Sequence, residues 1–133
     1  MIKRVSHVGV VVSNLDETLK LYERVFGLKP TVVKEAMEGK VRIAFVPVGD
    51  GEIELIQPVD PSVPQSKFLQ THGPGLHHVS LSTDDMDADL EKMRKDGVAF
   101  AAEKPNVGAH GVRIIFTKPE TTGAVAFELC EEI

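Results

Sequence analysis

The sequence predicts an α+β domain built from two tandem copies of one strand–helix–three-strand (βαβββ) unit, and three observations carry that expectation. First, the chain repeats itself: His7-Val-Gly-Val-Val-Val-Ser-Asn-Leu-Asp-Glu-Thr-Leu19 lies over His78-Val-Ser-Leu-Ser-Thr-Asp-Asp-Met-Asp-Ala-Asp-Leu90 at an offset of 71. His-Val, Leu15/Met86, Asp16/Asp87 and Leu19/Leu90 coincide without a gap. Second, each copy passes from strand-like sequence to the apolar spacing of an amphipathic helix. Third, the later segments recur: Val41-Arg-Ile-Ala-Phe45 matches Val112-Arg-Ile-Ile-Phe116, and Ile53-Glu-Leu55 matches Phe127-Glu-Leu129. Two repeats are too few for a solenoid and suit a pair of units sharing a core.

In order along the chain, residues 1–58 form the first module, 59–74 a linker and 75–133 the second module, all within a single domain. Val5–Val12 is rich in β-branched residues and ends in polar turn signals, so it reads as a strand. Asn14 with Glu17 three residues on is a capping box, and Leu15, Leu19, Tyr22 and Phe26 form a buried helical stripe. Gly27 stands where a helix end calls for a left-handed residue. Strands are expected at Thr31–Lys34, Val41–Pro47 and Glu52–Gln57. The linker region from Pro58 to Pro74 holds four prolines around a polar stretch, Gln65–His72, long enough for one or two helical turns. The second copy opens with a strand at Val79–Ser82 and a helix whose stripe is Met86, Leu90 and Met93, ending near Gly97. Its remaining strands are expected at Ala99–Ala101, Val112–Phe116 and Ala124–Cys130.

Composition excludes several classes. Of 133 residues, 42% are hydrophobic and 26% charged, the balance of an ordinary soluble globular domain. The formal charge of −5 and the lack of a Lys/Arg-rich patch argue against a nucleic-acid partner. The longest apolar run, Val8 to Val12, falls far short of the roughly 18 residues that span a bilayer, so no membrane association is expected. A single cysteine, Cys130, excludes a disulfide framework and a cysteine-held zinc. Strand-like sequence directly after Met1-Ile-Lys-Arg leaves no secretory or transit peptide, so a cytoplasmic protein is expected.

Strand parity then sorts the polar residues. His7 shares a face with Val5, Gly9 and Val11, opposite Ser6, Val8, Val10 and Val12. In the second copy His78 shares its face with Ser80 and Ser82, whereas His77 lies with Val79 and Leu81 and is expected to pack or be capped by backbone. Glu54 lies opposite the face of Ile53 and Leu55; Glu128 lies opposite that of Val125, Phe127 and Leu129, with Ala124 and Ala126 beside it. A carboxylate inside an apolar strand is unfavourable unless it has a partner. One in each copy, aligned beside an aligned histidine, suits a divalent metal: imidazole and carboxylate together favour Zn, Co, Ni, Fe or Mn. Four protein ligands on an octahedral ion would leave two adjacent positions for water or for two substrate oxygens. Gln57 has a ligand's polarity but falls on the Leu55 face, Asp84-Asp85-Met-Asp87 reads as a helix N-terminus, and Cys130 as a buried small residue.

Over essentially the whole chain these features resemble the vicinal oxygen chelate superfamily. The general marks are Ser6-His-Val-Gly-Val-Val-Val12 and Phe127-Glu-Leu129. Glu52-Ile-Glu-Leu-Ile-Gln-Pro58, Gly75-Leu-His-His-Val79, Val107-Gly-Ala-His-Gly111 and Phe116-Thr-Lys-Pro-Glu-Thr-Thr-Gly-Ala-Val125 are similar to the methylmalonyl-CoA epimerase family. Glyoxalase I, the alternative, usually reads Asp-Pro-Asp-Gly before its last strand, where this chain has the longer Lys118-Pro-Glu-Thr-Thr-Gly123. A third reading, a non-catalytic binding module of the same fold, would be marked by a missing ligand.

The resemblance implies a glyoxalase-like fold with a metal-binding cleft, and His7, Glu54, His78 and Glu128 as ligands of one divalent ion, its identity open. It implies an acyl-CoA substrate, a 2-methylmalonyl thioester, inverted by α-proton removal and return through a metal-stabilised enolate. It also implies a homodimer. Inversion calls for two acid/base groups. Some epimerases carry one as a glutamate on the third strand of the first module, but Val41-Arg-Ile-Ala-Phe-Val46 has no carboxylate. Glu128 is the first candidate; His110, Glu35 and Glu38 are candidates for the second. Lys34, Lys104 and Lys118 are candidate contacts for the CoA phosphates.

Overall fold

The computed structural model describes residues 1–132, and within them both copies adopt the expected strand–helix–three-strand order. The elements are β1 (Ile2–Val11), α1 (Leu15–Phe26), β2 (Val32–Ala36), β3 (Val41–Val48), β4 (Gly51–Pro58), α2 (Pro64–His72), β5 (Gly75–Thr83), α3 (Met86–Lys95), β6 (Asn106–Val107), β7 (Arg113–Phe116) and β8 (Phe127–Glu131). The chain divides into two compact units: His7–His77, and Met1–Ser6 together with the chain from His78 onward. No helix among the described residues is long and apolar enough to cross a membrane.

In the unit His7–His77 the strand order is β2-β3-β4-β1. β1 and β4 run parallel with Gly9 opposite Glu54, and β3 and β4 run antiparallel with Phe45 opposite Glu54. α1 forms because Asn14 Oδ1 accepts the Glu17 N–H at 3.0 Å and the apolar stripe has a core to enter. Leu15 is fully buried among Val12, Ala44, Val46 and Leu55, with Leu19 and Tyr22 packed against them. Gln57 completes the helix start: its Oε1 accepts the Leu15 N–H at 2.8 Å, so its side chain lies on the α1 side, as parity requires. Phe26 departs from the expected stripe. It is 63% exposed, with its ring edge-on to Tyr22, because the helix ends there and Gly27 turns the chain at φ 69°. α2 is longer than the one or two turns expected and starts at Pro64, whose fixed φ suits a first helical position.

In the other unit the order is β1-β5-β8-β7-β6, with β5 and β8 parallel. Met86, Leu90, Ile115 and Leu129 form its core, with Leu81, Met93 and Phe100 packed on. Asp85 Oδ1 accepts the Ala88 N–H at 3.1 Å, so the acidic run does open a helix. Three strands differ from expectation: β5 already starts at Gly75, four residues before Val79. Ala99–Ala101 makes only a bridge, Phe100 to Thr117, and the outer strand forms instead at Asn106–Val107. Small alanine side chains give the earlier segment little to pack. β8 begins at Phe127 rather than Ala124, because the turn after Pro119 carries Gly123 and Ala124 at positive φ, 79° and 82°, incompatible with a strand.

Candidate metal centre

Each unit presents a buried histidine and a buried glutamate on neighbouring parallel strands, on the face away from its helix. In the first, His7 on β1 is 3% exposed and Glu54 on β4 is 7% exposed. His7 Nε2 lies 3.6 Å from Glu54 Oε1. In the second, His78 on β5 is 2% exposed and Glu128 on β8 is 5% exposed. The His78 ring stands edge-on to Phe116, centroids 5.1 Å apart, which fixes its plane.

The registers coincide. Glu54 is opposite Gly9, two residues after His7, and Glu128 is opposite Ser80, two residues after His78. On the other side the carboxylates face Phe45 and Phe116, each across an antiparallel pair. A two-residue step keeps side chains on one face, so every histidine and its glutamate emerge from the same side of their sheet. Buried imidazole and carboxylate side chains, repeated in this way, form a donor set that fits a hard-to-intermediate divalent cation. Burial disfavours the charged carboxylates unless a cation or hydrogen bonds compensate.

Other sequence candidates separate on geometry. His77 packs edge-on to Phe68, centroids 4.9 Å apart, as expected of a residue on the Val79 face. Glu35 and Glu38 are exposed, on β2 and in the turn before β3. His110 is half-buried in the turn between β6 and β7, where a Cβ on Gly108 would lie 2.7 Å from Ile114 Cδ1. Gln57 is a helix partner. Lys104 and Lys118 are exposed in the second unit, and Lys34 is exposed on β2. Cys130 is buried, and burial pushes its thiol pKa up, partly offset by the neighbouring Ser80 and Ser6 hydroxyls. One contributor was missed from sequence: the Ser80 hydroxyl donates to Glu128 Oε1 at 2.8 Å. Parity had placed Ser80 on the His78 face; only the β5–β8 register brings it against the carboxylate.

The architecture and the repeated His/Glu register define a glyoxalase-like protein. Residues 6–116 match the Glyoxalase/Bleomycin resistance protein/Dioxygenase superfamily, and the chain belongs to that family. Among curated relatives it is 33% identical to the Bacillus subtilis uncharacterized protein YqjC, over 96% of this chain and 91% of that protein. It is 32% identical to the mouse mitochondrial methylmalonyl-CoA epimerase, over 95% of this chain and 71% of the relative. Among solved structures, a variant of Streptomyces coelicolor methylmalonyl-CoA epimerase in complex with 2-nitronate-propionyl-CoA superposes with a TM-score of 0.90, at 29% identity and covering 99% of each chain.

Proposed function

We propose that this protein is a metal-dependent epimerase acting on methylmalonyl-CoA, with His7, Glu54, His78 and Glu128 as the ligands of a single divalent ion. The observation that carries the reading is the register repeated in both units: a buried histidine, and a buried glutamate opposite the residue two positions later. Each copy supplies half a ligand set, so the two would act as one functional domain. The names of the mouse and Streptomyces relatives support the substrate class.

The ion would supply Lewis-acid stabilisation of the negative charge that develops when the α-proton leaves. The chain's residues do the rest. Two carboxylates offset the charge of a divalent cation, and the histidines hold it without adding charge. Glu128 accepts the α-proton of one epimer, at the carbon between carboxylate and thioester. Return of a proton on the opposite face falls to a second group. β3 carries no carboxylate, and of His110, Glu35 and Glu38 only His110 is half-buried rather than exposed. We assign it that role. A homodimer accompanies this reading, with exposed Val25 and Phe26 on α1 and Val32 and Val33 on the edge strand β2 as apolar surface to cover. A cytoplasmic setting fits the lone, buried cysteine.

The test is α-proton exchange. Protein loaded with Co(II) is incubated with methylmalonyl-CoA in deuterated buffer and followed by mass spectrometry, beside an assay with methylglyoxal and glutathione. Deuterium incorporation with racemisation is expected, and no turnover of the hemithioacetal. Full metal occupancy with no exchange would defeat the enzymatic reading.

A further inference from the structure

We infer that Ser80 is a positioning residue for Glu128. The inference rests on the metal-site reading above. Ser80 is fully buried, and its hydroxyl lies 2.8 Å from Glu128 Oε1 and 3.3 Å from Cys130 Sγ. A hydroxyl has one proton, and the carboxylate oxygen is the stronger acceptor, so the proton goes to Glu128. The bond ties one carboxylate oxygen to the strand that carries His78. A charge-assisted hydrogen bond from a residue without solvent contact also limits how far Glu128 can swing when it takes up a proton.

The corresponding position in the first copy carries no hydroxyl. Gly9 occupies the position corresponding to Ser80, opposite Glu54, and brings no side chain. Glu54 Oε1 lies 3.6 Å from His7 Nε2. The Ser80 bond holds Glu128 from behind, which suits the group that must meet a substrate carbon in one geometry.

Ser82 provides the control. It lies two residues further along the same face of β5, is 1% exposed, and its Oγ has no hydrogen-bond partner. Ser80→Ala and Ser82→Ala remove the same atom from the same buried strand, but only the first removes a bond to Glu128.

The experiment compares wild type, Ser80→Ala and Ser82→Ala by Co(II) titration with visible absorption, and by epimerisation kinetics. Removing a hydrogen bond that orients a metal ligand typically lowers affinity or activity by about 10- to 100-fold. Ser80→Ala is expected to shift the Co(II) band pattern and to lower kcat by about that factor, with KM moving much less. Ser82→Ala should match wild type in both. Equal spectra and kcat for Ser80→Ala and wild type would overturn the positioning role and leave the metal-site reading standing. Equal losses in both serine variants would overturn it in favour of simple strand packing. A wild type that takes up no Co(II) would remove both inferences together.

Discussion

The two copies differ most at their edges and least at their centres. β3 and β7 both place a phenylalanine across from the glutamate, and β1 and β5 both place a histidine two residues before the position it faces. The first helix turn is latched in the same way in each: Arg42 to Asp16 and Arg113 to Asp87, both at 3.2 Å. The outer strands diverge, five residues in β2 against two in β6. The contrast teaches which constraints are strict. A buried polar pair in the middle of a sheet keeps its face and its register, whereas an edge strand need only close the sheet.

The sharpest way to break the comparison is to remove one histidine at a time. His7→Ala and His78→Ala should each lower epimerisation by about a thousandfold and reduce bound metal below one equivalent by elemental analysis. Retention of full metal by either would show that the copies do not contribute equally. Next in size are the cores. Leu15→Ala and Met86→Ala each empty a buried position under a helix, and urea unfolding should register about 2–5 kcal/mol for either. A much smaller loss in one would mark that core as the looser.

Smaller still are the caps. Asn14→Ala and Asp85→Ala each delete a side-chain acceptor at a helix start, and each should cost about 1 kcal/mol in the same measurement. Smallest is the arginine latch, where the copies are not equal. Arg113 also bonds Glu131, whose carboxylate accepts both its guanidinium and its backbone N–H. Those bonds hold the Glu131 pKa below the ordinary carboxylate value. A depressed folded-state pKa gives stability that is present at neutral pH and lost as pH falls through it. Arg113→Ala should therefore lower Tm more than Arg42→Ala at pH 7, and the gap should close on acidification below about pH 4. A gap unchanged by acid would show that Glu131 does not supply the difference.

Much of this was legible in the sequence because it depends on local rules. Parity alone separated His78 from His77, set Glu54 against Ile53 and Leu55, and put Gln57 on the helix side. Asn14 and Asp85 announced their helices by residue type. What escaped depends on distant partners or on where an element runs out. Phe26 fits the helical spacing but lies at the helix end, where little remains to cover it. Ala99–Ala101 has strand-like flanks but gains only a single bridge, and the sheet edge forms further on. Ser80 was placed on the correct face, yet its bond to Glu128 comes from a pairing between residues 48 apart in sequence.

β1 and β5 each change unit partway along, at Ser6/His7 and at His77/His78, in both cases immediately before the histidine. The structural seams thus do not coincide with the boundary of the duplication. Severing the gene between the copies would leave Met1–Ser6 on one polypeptide and the remainder of its unit on the other. Two such half-length products, made separately, would each lack part of a compact unit.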